Sequence, residues 1–483
     1  MLAKGARMGD PHYGREGARA IVVGASIAGL CAARVLADRF GEVLVLDHDE
    51  LPAEPAFRHG VPQARHAHAL LLSGQQRLQA WFPHLGGELL AHGALPFGSE
   101  QLRWFQAGGV RLRLRDSHKG VLCSRPMLEH HVRARVAGLP NVALRHGHVE
   151  DVIAGRGARS AAVLVTGVCL AGGETLAADL VVDASGRAAR SLRWLERRGL
   201  GCVAPPLSAV HVDMGYATRI LRRDPSDSRD WRVAVVLSDP PSGRAGAAFA
   251  LEDNQWMVTL SGFHGDHPPT TASDWAEFAG TLPDPAIADL INEAEPLTAI
   301  VPHRMAASMR RHVERLHQRQ VAGGLVLLGD AVASFNPIYG QGMSTAALQA
   351  EGLAATLDQH AGRRDDLGPG FVHAYNRLAG RVVEGPWRLS AGGDFALPQT
   401  TGAKPWGSAL TTPYLRRVLE AAQHDEVVAR RFMEVSHLLR LPTALLAPPI
   451  FRRVLRPALG RPLRPSPGSG SEQAPEQAPA PAV

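Results

Sequence analysis

Cysteine is scarce in this sequence, and the few cysteines form no recognisable site. No Cys-x-x-Cys pair and no spacing typical of metal ligands occurs among Cys31, Cys123, Cys169 and Cys202. We interpret all four as reduced thiols of the protein core. The pair His66 and His68 lacks a third ligand at a useful spacing, so we expect no metal site.

Long hydrophobic runs are also missing. No apolar stretch approaches the roughly 20 residues that a helix needs to cross a bilayer, so we expect no transmembrane segment. The first 20 residues lack the apolar stretch of a signal peptide. From these absences we expect a cytoplasmic protein.

Charge of one sign does not dominate the chain. The 52 Lys and Arg residues exceed the 46 Asp and Glu residues by six, and no nucleic-acid-binding pattern accompanies this excess. We therefore expect no nucleic-acid partner and interpret arginine clusters such as residues 111–115 as solvated faces. A basic cleft would suit the phosphates of a dinucleotide or an anionic substrate equally well.

Two kinds of strand pattern are present and predict an α/β fold. Residues 18–23, 42–47, 179–183 and 324–328 are continuous apolar runs, typical of a parallel sheet covered on both faces. Residues 100–115 and about 205–265 alternate apolar and polar side chains, as half-exposed antiparallel strands do. The chain is therefore predicted to pass twice between a parallel sheet and a flatter second sheet, and to end in a helical region from about Pro413 to Arg440.

The segment 21–30 carries a glycine pattern that binds dinucleotides. Gly24, Ser26 and Gly29 follow a strand and open a predicted helix, a variant of the Rossmann fingerprint in which Ser26 replaces the middle glycine. The amides of the helix start, including Ala25 and Ala28, would face a pyrophosphate. Asp47 ends the next strand, where an acid binds the ribose hydroxyls, so FAD or NAD is favoured over NADP.

A second strand–turn–helix junction lies at 324–354. Asp330 ends the strand, and a turn rich in proline and glycine leads into a helix of small residues. At this point the chain resembles the FAD-dependent monooxygenase superfamily with the p-hydroxybenzoate hydroxylase fold. The resemblance implies that Asp330 binds the ribityl chain of FAD, and that the flavin pyrimidine ring faces Pro337, Gly340, Gln341, Gly342 and Met343.

Further positions take their expected roles from the same resemblance. Arg125, in the segment SRPMLEHHVR, would lie against FAD, and the backbone of Val149 would hold the adenine. The sequence around Asp183 is DASGR and lacks the Asp-Gly motif of aromatic hydroxylases. We therefore do not assign to Asp183 the NADPH contacts that this motif makes in those enzymes.

The segment 58–89 is similar to that of bacterial biosynthetic epoxidases of the polyether and squalene type. Arg65 and His66 are expected to line the FAD cleft, and His66, Trp256 and Phe263 are candidates for the substrate wall. The sequence DASGR at Asp183 is closer to the sequences of the reductase and halogenase branches of the superfamily.

The resemblance implies an enzyme whose flavin carries the chemistry. NAD(P)H or a partner flavin reductase would reduce FAD, O2 would form a C4a-(hydro)peroxide, and one oxygen atom would pass to a lipophilic small molecule by epoxidation or hydroxylation. No catalytic acid or base is named, and a role in secondary-metabolite (antibiotic) biosynthesis is expected. Three alternatives stay open: a reductase of prenyl-chain double bonds, a halogenase (although residues 51–118 contain no lysine) and a non-catalytic nucleotide-binding regulator.

The expected organisation interleaves the two lobes. A Rossmann-type FAD-binding lobe would be built from 19–85, 121–200 and 321–400, and an antiparallel substrate lobe from 86–120 and 201–320. A helical region would occupy 401–464, between a flexible arm at 1–18 and a disordered tail at 465–483.

Overall fold

The computed structural model describes residues 15–115, 119–157, 162–362 and 366–455. Of the expected arm at 1–18, residues 1–14 lie outside the described residues, whereas residues 15–18 already belong to the first strand. The expected tail at 465–483 lies wholly outside them.

The described residues form 19 strands and 12 α-helices. The strands are β1 (Arg15–Val23), β2 (Phe40–Asp47), β3 (Leu95–Gly98), β4 (Leu102–Gln106), β5 (Gly109–Val110), β6 (Lys119–Leu122), β7 (Val142–His146), β8 (Val149–Arg156), β9 (Val163–Leu170), β10 (Thr175–Ala177), β11 (Leu180–Asp183), β12 (Leu207–Arg222), β13 (Val233–Leu237), β14 (Ala245–Leu251), β15 (Gln255–Gly262), β16 (Val301–Arg311), β17 (Leu325–Leu327), β18 (Ala333–Ser334) and β19 (Thr401–Gly402). The helices are α1 (Ile27–Ala37), α2 (Leu72–Trp81), α3 (Leu85–Ala91), α4 (Arg125–Ala137), α5 (Arg190–Arg197), α6 (Ala272–Gly280), α7 (Ala286–Glu293), α8 (Gly342–His360), α9 (Pro369–Asp394), α10 (Ser408–Ala421), α11 (Glu426–Ser436) and α12 (Pro448–Val454).

The first sheet is parallel and is covered on both faces, as the apolar runs predict. Its strand order is β17-β11-β1-β2-β7, with every neighbouring pair parallel. Alternate residues of β1 enter different cores: Val22 packs with residues of α1 and α8, and Ile21 packs with residues of β8 and β9. Because successive side chains of a strand point to opposite faces, both faces of this sheet must be apolar.

The second sheet contains nine strands and is largely antiparallel. Its order is β18-β16-β12-β15-β14-β13-β4-β5, with β19 paired to β12 and a parallel pairing of β13 with β4. One face is buried by α6 and α7, through side chains such as Trp275 and Ile287. The predicted α/β class with an interwoven antiparallel lobe is confirmed.

The sequence predicts a helical region from about Pro413 to Arg440. The structure has two helices there, α10, which begins at Ser408, and α11, and a turn separates them. The carboxylate of Asp425 forms this break, because it accepts hydrogen bonds from the amides of Val427 and Val428 and so caps α11. Helices α10, α11 and α12 share a small core of their own, which Leu114 joins.

Among the described residues, no helix combines the length and the apolar character that crossing a bilayer requires.

We predict that Gly29→Ala destabilises the fold, whereas Gly87→Ala does not. A Cβ atom at Gly29 would lie 1.8 Å from the carbonyl oxygen of Gly24, so α1 would have to move off the first turn. Such overpacking costs about 1–3 kcal/mol of unfolding free energy. Gly87, in α3, has nothing within 4 Å of that position, and alanine there should add about 0.5–1 kcal/mol. Denaturant unfolding measures both, and equal stabilities of the two variants would contradict the close packing at Gly29.

Candidate functional site

The two predicted strand–turn–helix junctions meet at one cavity. Strands β1 and β17 flank β11 in the parallel sheet, so their carboxyl ends reach the same edge. A Cβ atom at Gly329 would lie 2.7 Å from the Cβ of Ala28, which brings the two junctions into direct contact. Both helix starts, at Ile27 and Gly342, line a cavity of about 520 Å³. Their free amides and positive dipole ends therefore point into the same space.

The carboxylate of Asp47 holds the loop of the first junction in place. Gly24 adopts φ 106°, and a Cβ atom there would lie 2.6 Å from the carbonyl oxygen of Ala184, so a side chain would be strained twice. The buried amide of Ala25 donates to Oδ2 of Asp47 at 2.6 Å, and the amide of Asp49 donates to Oδ1 at 2.9 Å. Asp47, at the end of β2, thus fixes the loop and still lines the cavity.

A buried ion-pair network behind this loop was not predicted from the sequence. Arg58 donates from Nε to Oε1 of Glu129 at 2.9 Å and from Nη1 to Asp47 at 3.3 Å. Burial alone would lower the pKa of Arg58, but Glu129, Asp47 and Asp49 together raise it. Glu129 stands four residues after Arg125, and this helical spacing is a sequence signal for the Arg125–Glu129 pair, whereas no local signal places Arg58 beside it.

Arg125 extends the network into the cavity. Its Nη2 donates to Oγ of Ser26 at 2.8 Å and to Oε2 of Glu129 at 3.2 Å. Its Nε is buried and has no partner among the described residues. Arg125 lines the cavity beside the first junction, so a spare cationic donor lies next to the amides of α1.

The second junction supplies the other polar groups of the cavity. Gly340 takes a left-handed φ of 62° and Asn336 caps the turn, while Pro337, Gly340, Gln341, Gly342 and Met343 all line the cavity. Asp330 also lines it, and no hydrogen bond to its carboxylate is found among the described residues. Burial raises the pKa of Asp330, and Arg187 and Arg125 partly oppose this effect. The buried Oε1 of Gln341 likewise has no partner among the described residues.

The structure brings some of the remaining predicted residues to the cavity and leaves others out. Val149 and His66 line it, whereas the exposed Arg65 does not and instead lies 4.8 Å from the ring of Phe57. Gly29 and Ala25 support the first junction from behind without lining the cavity. His66 shares a 2.8 Å hydrogen bond through Nδ1 with Thr218. Burial, and then the proximity of His303, His68 and Arg65, lowers the pKa of His66 to about 3, so its imidazole is neutral.

Two aromatic residues expected at the substrate wall lie elsewhere. Trp256 is 2% exposed and packs on the α6–α7 face, with its ring 5.0 Å from that of Trp231. Side chains alternate along β15: Thr259 and Ser261 line the cavity, so Trp256 must face away. Phe263 follows the end of β15 and turns into the main core. The alternation is visible in the sequence, but which face meets the cavity is not.

Apolar side chains of the second sheet and of nearby strands form a large part of the remaining cavity wall, and the C-terminal helices also contribute to it. Lining side chains from β13, β14, β4 and the neighbouring β3 and β6 include Val233, Val235, Leu237, Phe249, Leu251, Leu102, Phe97 and Leu122. Met433, Ser436 and His437, at the end of α11, complete this wall.

A buried carboxyl lies behind the second junction. Oδ1 of Asp394 accepts hydrogen bonds from Nδ2 of Asn336 at 2.8 Å and from the Tyr339 hydroxyl at 3.2 Å. Its Oδ2 is buried and has no partner among the described residues. Burial raises the pKa of Asp394 to about 7, against the lowering effect of its two donors. Because Asn336 and Tyr339 line the cavity, Asp394 positions the turn.

We predict that Asp394 makes the fold less stable as pH rises. Its pKa of about 7 in the folded state exceeds the unfolded value of about 3.9, so the folded protein binds more protons between these values and loses stability with rising pH. Relative to wild type, Asp394→Asn should gain about 1 kcal/mol of unfolding free energy between about pH 6 and pH 8. Denaturant unfolding at both pH values measures this, with the exposed Asp38→Asn as control. Parallel pH curves for wild type and Asp394→Asn would contradict it.

The overall structure is similar to those of several flavoproteins. The flavoprotein/dehydrogenase of Cytophaga hutchinsonii aligns with TM-score 0.61 at 13% identity, over 87% of this chain and 92% of that one. PqsL of Pseudomonas aeruginosa, described as a probable FAD-dependent monooxygenase, aligns with TM-score 0.55 at 18% identity, over 78% and 97%. The flavin-dependent brominase Bmp2 aligns with TM-score 0.58 at 16% identity, over 86% and 93%. At these identities the likeness shows that the chain shares the fold of these proteins.

A comparison of sequences identifies a relative whose identity to this chain is higher than that of the solved structures. No protein-family model matches the chain. Protein Rv3254 of Mycobacterium tuberculosis (strain ATCC 25618 / H37Rv) is 32% identical over 458 residues, which cover 90% of this chain and 93% of that protein. With that identity over nearly the whole of both proteins, the chain belongs to the family of Rv3254.

Proposed function

We propose that this protein binds FAD in the cavity and acts as a monooxygenase. The observation that carries the proposal is the convergence of two helix starts, at Ile27 and Gly342, on one cavity. The same cavity holds the carboxylate of Asp330, for which no hydrogen bond is found within the described part of the chain. FAD has a pyrophosphate, a ribityl chain and a flavin ring within one molecule, and it therefore needs several separated polar sites in a single cleft.

The residues present fit the parts of FAD. The amides of Ser26–Ala28 at the start of α1, and the Nε of Arg125, which has no partner among the described residues, suit the pyrophosphate. Asp47 and Val149, at the β2–β8 side of the cavity, suit the adenosine. Asp330 can accept hydrogen bonds from ribityl hydroxyls, and the turn from Pro337 to Met343 can face the flavin ring, where the α8 dipole stabilises negative charge on it.

The chemistry that bound FAD supplies is the activation of O2 for transfer of one oxygen atom. Oxygen transfer consumes two electrons and two protons, and the second oxygen atom leaves as water. The protein would orient the substrate, exclude water and keep His66 neutral beside the reacting centre. We name no side chain as an acid or base for the oxygen-transfer step.

The apolar side chains that β13 and β14 contribute to the cavity wall support a lipophilic substrate. Together with the similarity of the 58–89 segment to biosynthetic epoxidases, they favour epoxidation of an alkene in secondary metabolism, with hydroxylation as the other outcome. NAD(P)H or a partner flavin reductase would supply the electrons. Oδ1 of Asp183 accepts from the amide of Ser185 at 3.0 Å and Oδ2 from that of Ser191 at 3.1 Å, so Asp183 is not assigned to a nicotinamide contact.

We predict that Asp330→Asn weakens FAD binding by about tenfold or more, since a hydrogen bond to a charged group contributes about 1.5–3 kcal/mol. The measurement is the flavin-to-protein absorbance ratio after gel filtration, followed by titration of the apoprotein with FAD. Asp358→Asn is the matched control, because its exposed carboxylate lies near the far end of the same helix, α8. Equal FAD affinity of Asp330→Asn and wild type would show that this carboxylate does not face the cofactor.

Oxygen incorporation separates oxygen transfer from reduction of a double bond. The FAD-loaded protein is supplied with NADPH or a flavin reductase, ¹⁸O2 and prenyl alkenes such as farnesol and farnesoic acid. We expect the converted product to carry one ¹⁸O atom, read by mass spectrometry. A saturated product without ¹⁸O would assign the chain to the alternative, a flavin-dependent reductase of prenyl double bonds.

A further inference from the structure

Arg111 is an arginine whose charge faces the cavity from its apolar end. Its amide donates to the carbonyl oxygen of Trp104 at 2.8 Å, directly after the β4–β5 hairpin. Its guanidinium carbon lies 4.8 Å from the ring centroid of Trp104 and 5.6 Å from that of Phe432 in α11. The cation is therefore held between two aromatic rings, one from the second sheet and one from the C-terminal helices, and it lines the cavity.

No acidic group compensates this cation among the described residues. Neighbouring arginines do have such partners: Arg103 pairs with Asp284 at 2.6 Å, and Arg113 pairs with Asp230 at 2.7 Å. Burial alone lowers the pKa of Arg111, to about 10, and no acid raises it, so the side chain stays charged at neutral pH. The ring faces contribute about 0.5–2 kcal/mol, but they satisfy none of the guanidinium N–H donors. These donors have no hydrogen-bond partner among the described residues, so an anion that enters the cavity can accept hydrogen bonds from them.

The position of Arg111 separates it from the proposed flavin ring. Arg111 follows β4 and the edge strand β5. Four strand spacings of ~4.8 Å, roughly 19 Å along the sheet, separate β4 from β12, which carries Tyr216. Tyr216 and His66, whose rings lie 5.1 Å apart, line the cavity near the two junctions. The wall between these ends includes apolar side chains such as Val235 and Phe249, together with Thr259 and Ser261 of β15.

We propose that Arg111 binds the carboxylate of an elongated, otherwise apolar substrate and thereby anchors it by the end remote from the flavin. The inference rests on the proposed function and deepens it. A planar guanidinium matches a carboxylate with two parallel hydrogen bonds. The rings of Trp104 and Phe432 fix its plane, so little side-chain freedom is lost when the carboxylate binds. An uncharged hydrocarbon would leave the charge of Arg111 uncompensated in the complex.

The test compares two probes of the same shape on the FAD-loaded protein. Farnesoate and farnesamide differ in charge at one end, and their dissociation constants are measured from the perturbation of the flavin spectrum and by calorimetry. We expect wild type to bind farnesoate at least about tenfold more tightly than farnesamide. Arg111→Gln should abolish this preference, and Arg111→Lys should keep part of it because the charge remains. Arg113→Gln, which loses only a surface pair, should keep all of it.

Several outcomes would contradict the proposal that Arg111 binds the carboxylate of the substrate. They are equal affinity of wild type for both probes, absence of binding of either, or an unchanged preference in Arg111→Gln. If wild type shows no carboxylate preference and NADPH reduces the flavin more slowly in Arg111→Gln, the result would indicate that Arg111 binds a phosphate of NADPH instead. If Arg111→Gln does not fold, the comparison of the probes on wild type decides alone. Flavin content is measured first, so that a protein without FAD refutes the proposed function and a flavin-loaded protein without the preference refutes only the anchor.

Discussion

The amides in the first turn of an α-helix have no acceptor within that helix, and this constraint organises the structure around its cavity. Parallel strands β1 and β17, separated by β11, deliver α1 and α8 to the same edge of the sheet. The contact between Gly329 and Ala28 leaves no room for a side chain between the two junctions. The donors of both helix starts therefore face one space. Asp47, Arg125 and Asp330 supply the fixed charges around it.

The second sheet contributes apolar side chains to the cavity that the two helix starts line. One of its faces is buried by α6 and α7, and the other closes the cavity, so the same strands build a core and a binding wall. The C-terminal helices complete the enclosure, because α11 contributes both cavity lining and the Phe432 ring against Arg111. A cavity that is lined by the two helix starts on one side, and by apolar side chains and the cation of Arg111 on the other, is suited to a large cofactor and an amphipathic substrate.

Local patterns in the sequence predicted the parts of the fold that depend on local chemistry. Glycine spacing and strand-terminal acids identified both junctions, and Asp330 and Met343 lie at the cavity as expected. Contacts between distant segments were beyond such patterns: nothing local pairs Arg58 with Glu129 across 71 residues. The same limit applies to Trp256, since alternation along a strand defines two faces without telling which one meets the cavity. It applies equally to Arg111, because residues 111–115 were interpreted as solvated and only the tertiary structure turns Arg111 inward.

The central claim is that both helix starts bind one flavin dinucleotide. A crystal structure of the protein with FAD tests it most directly. We predict electron density for the pyrophosphate at Ser26–Ala28 and for the isoalloxazine ring at Gly340–Met343, joined by a ribityl chain beside Asp330. Density for FAD outside this cavity, or contacts with one junction alone, would contradict it.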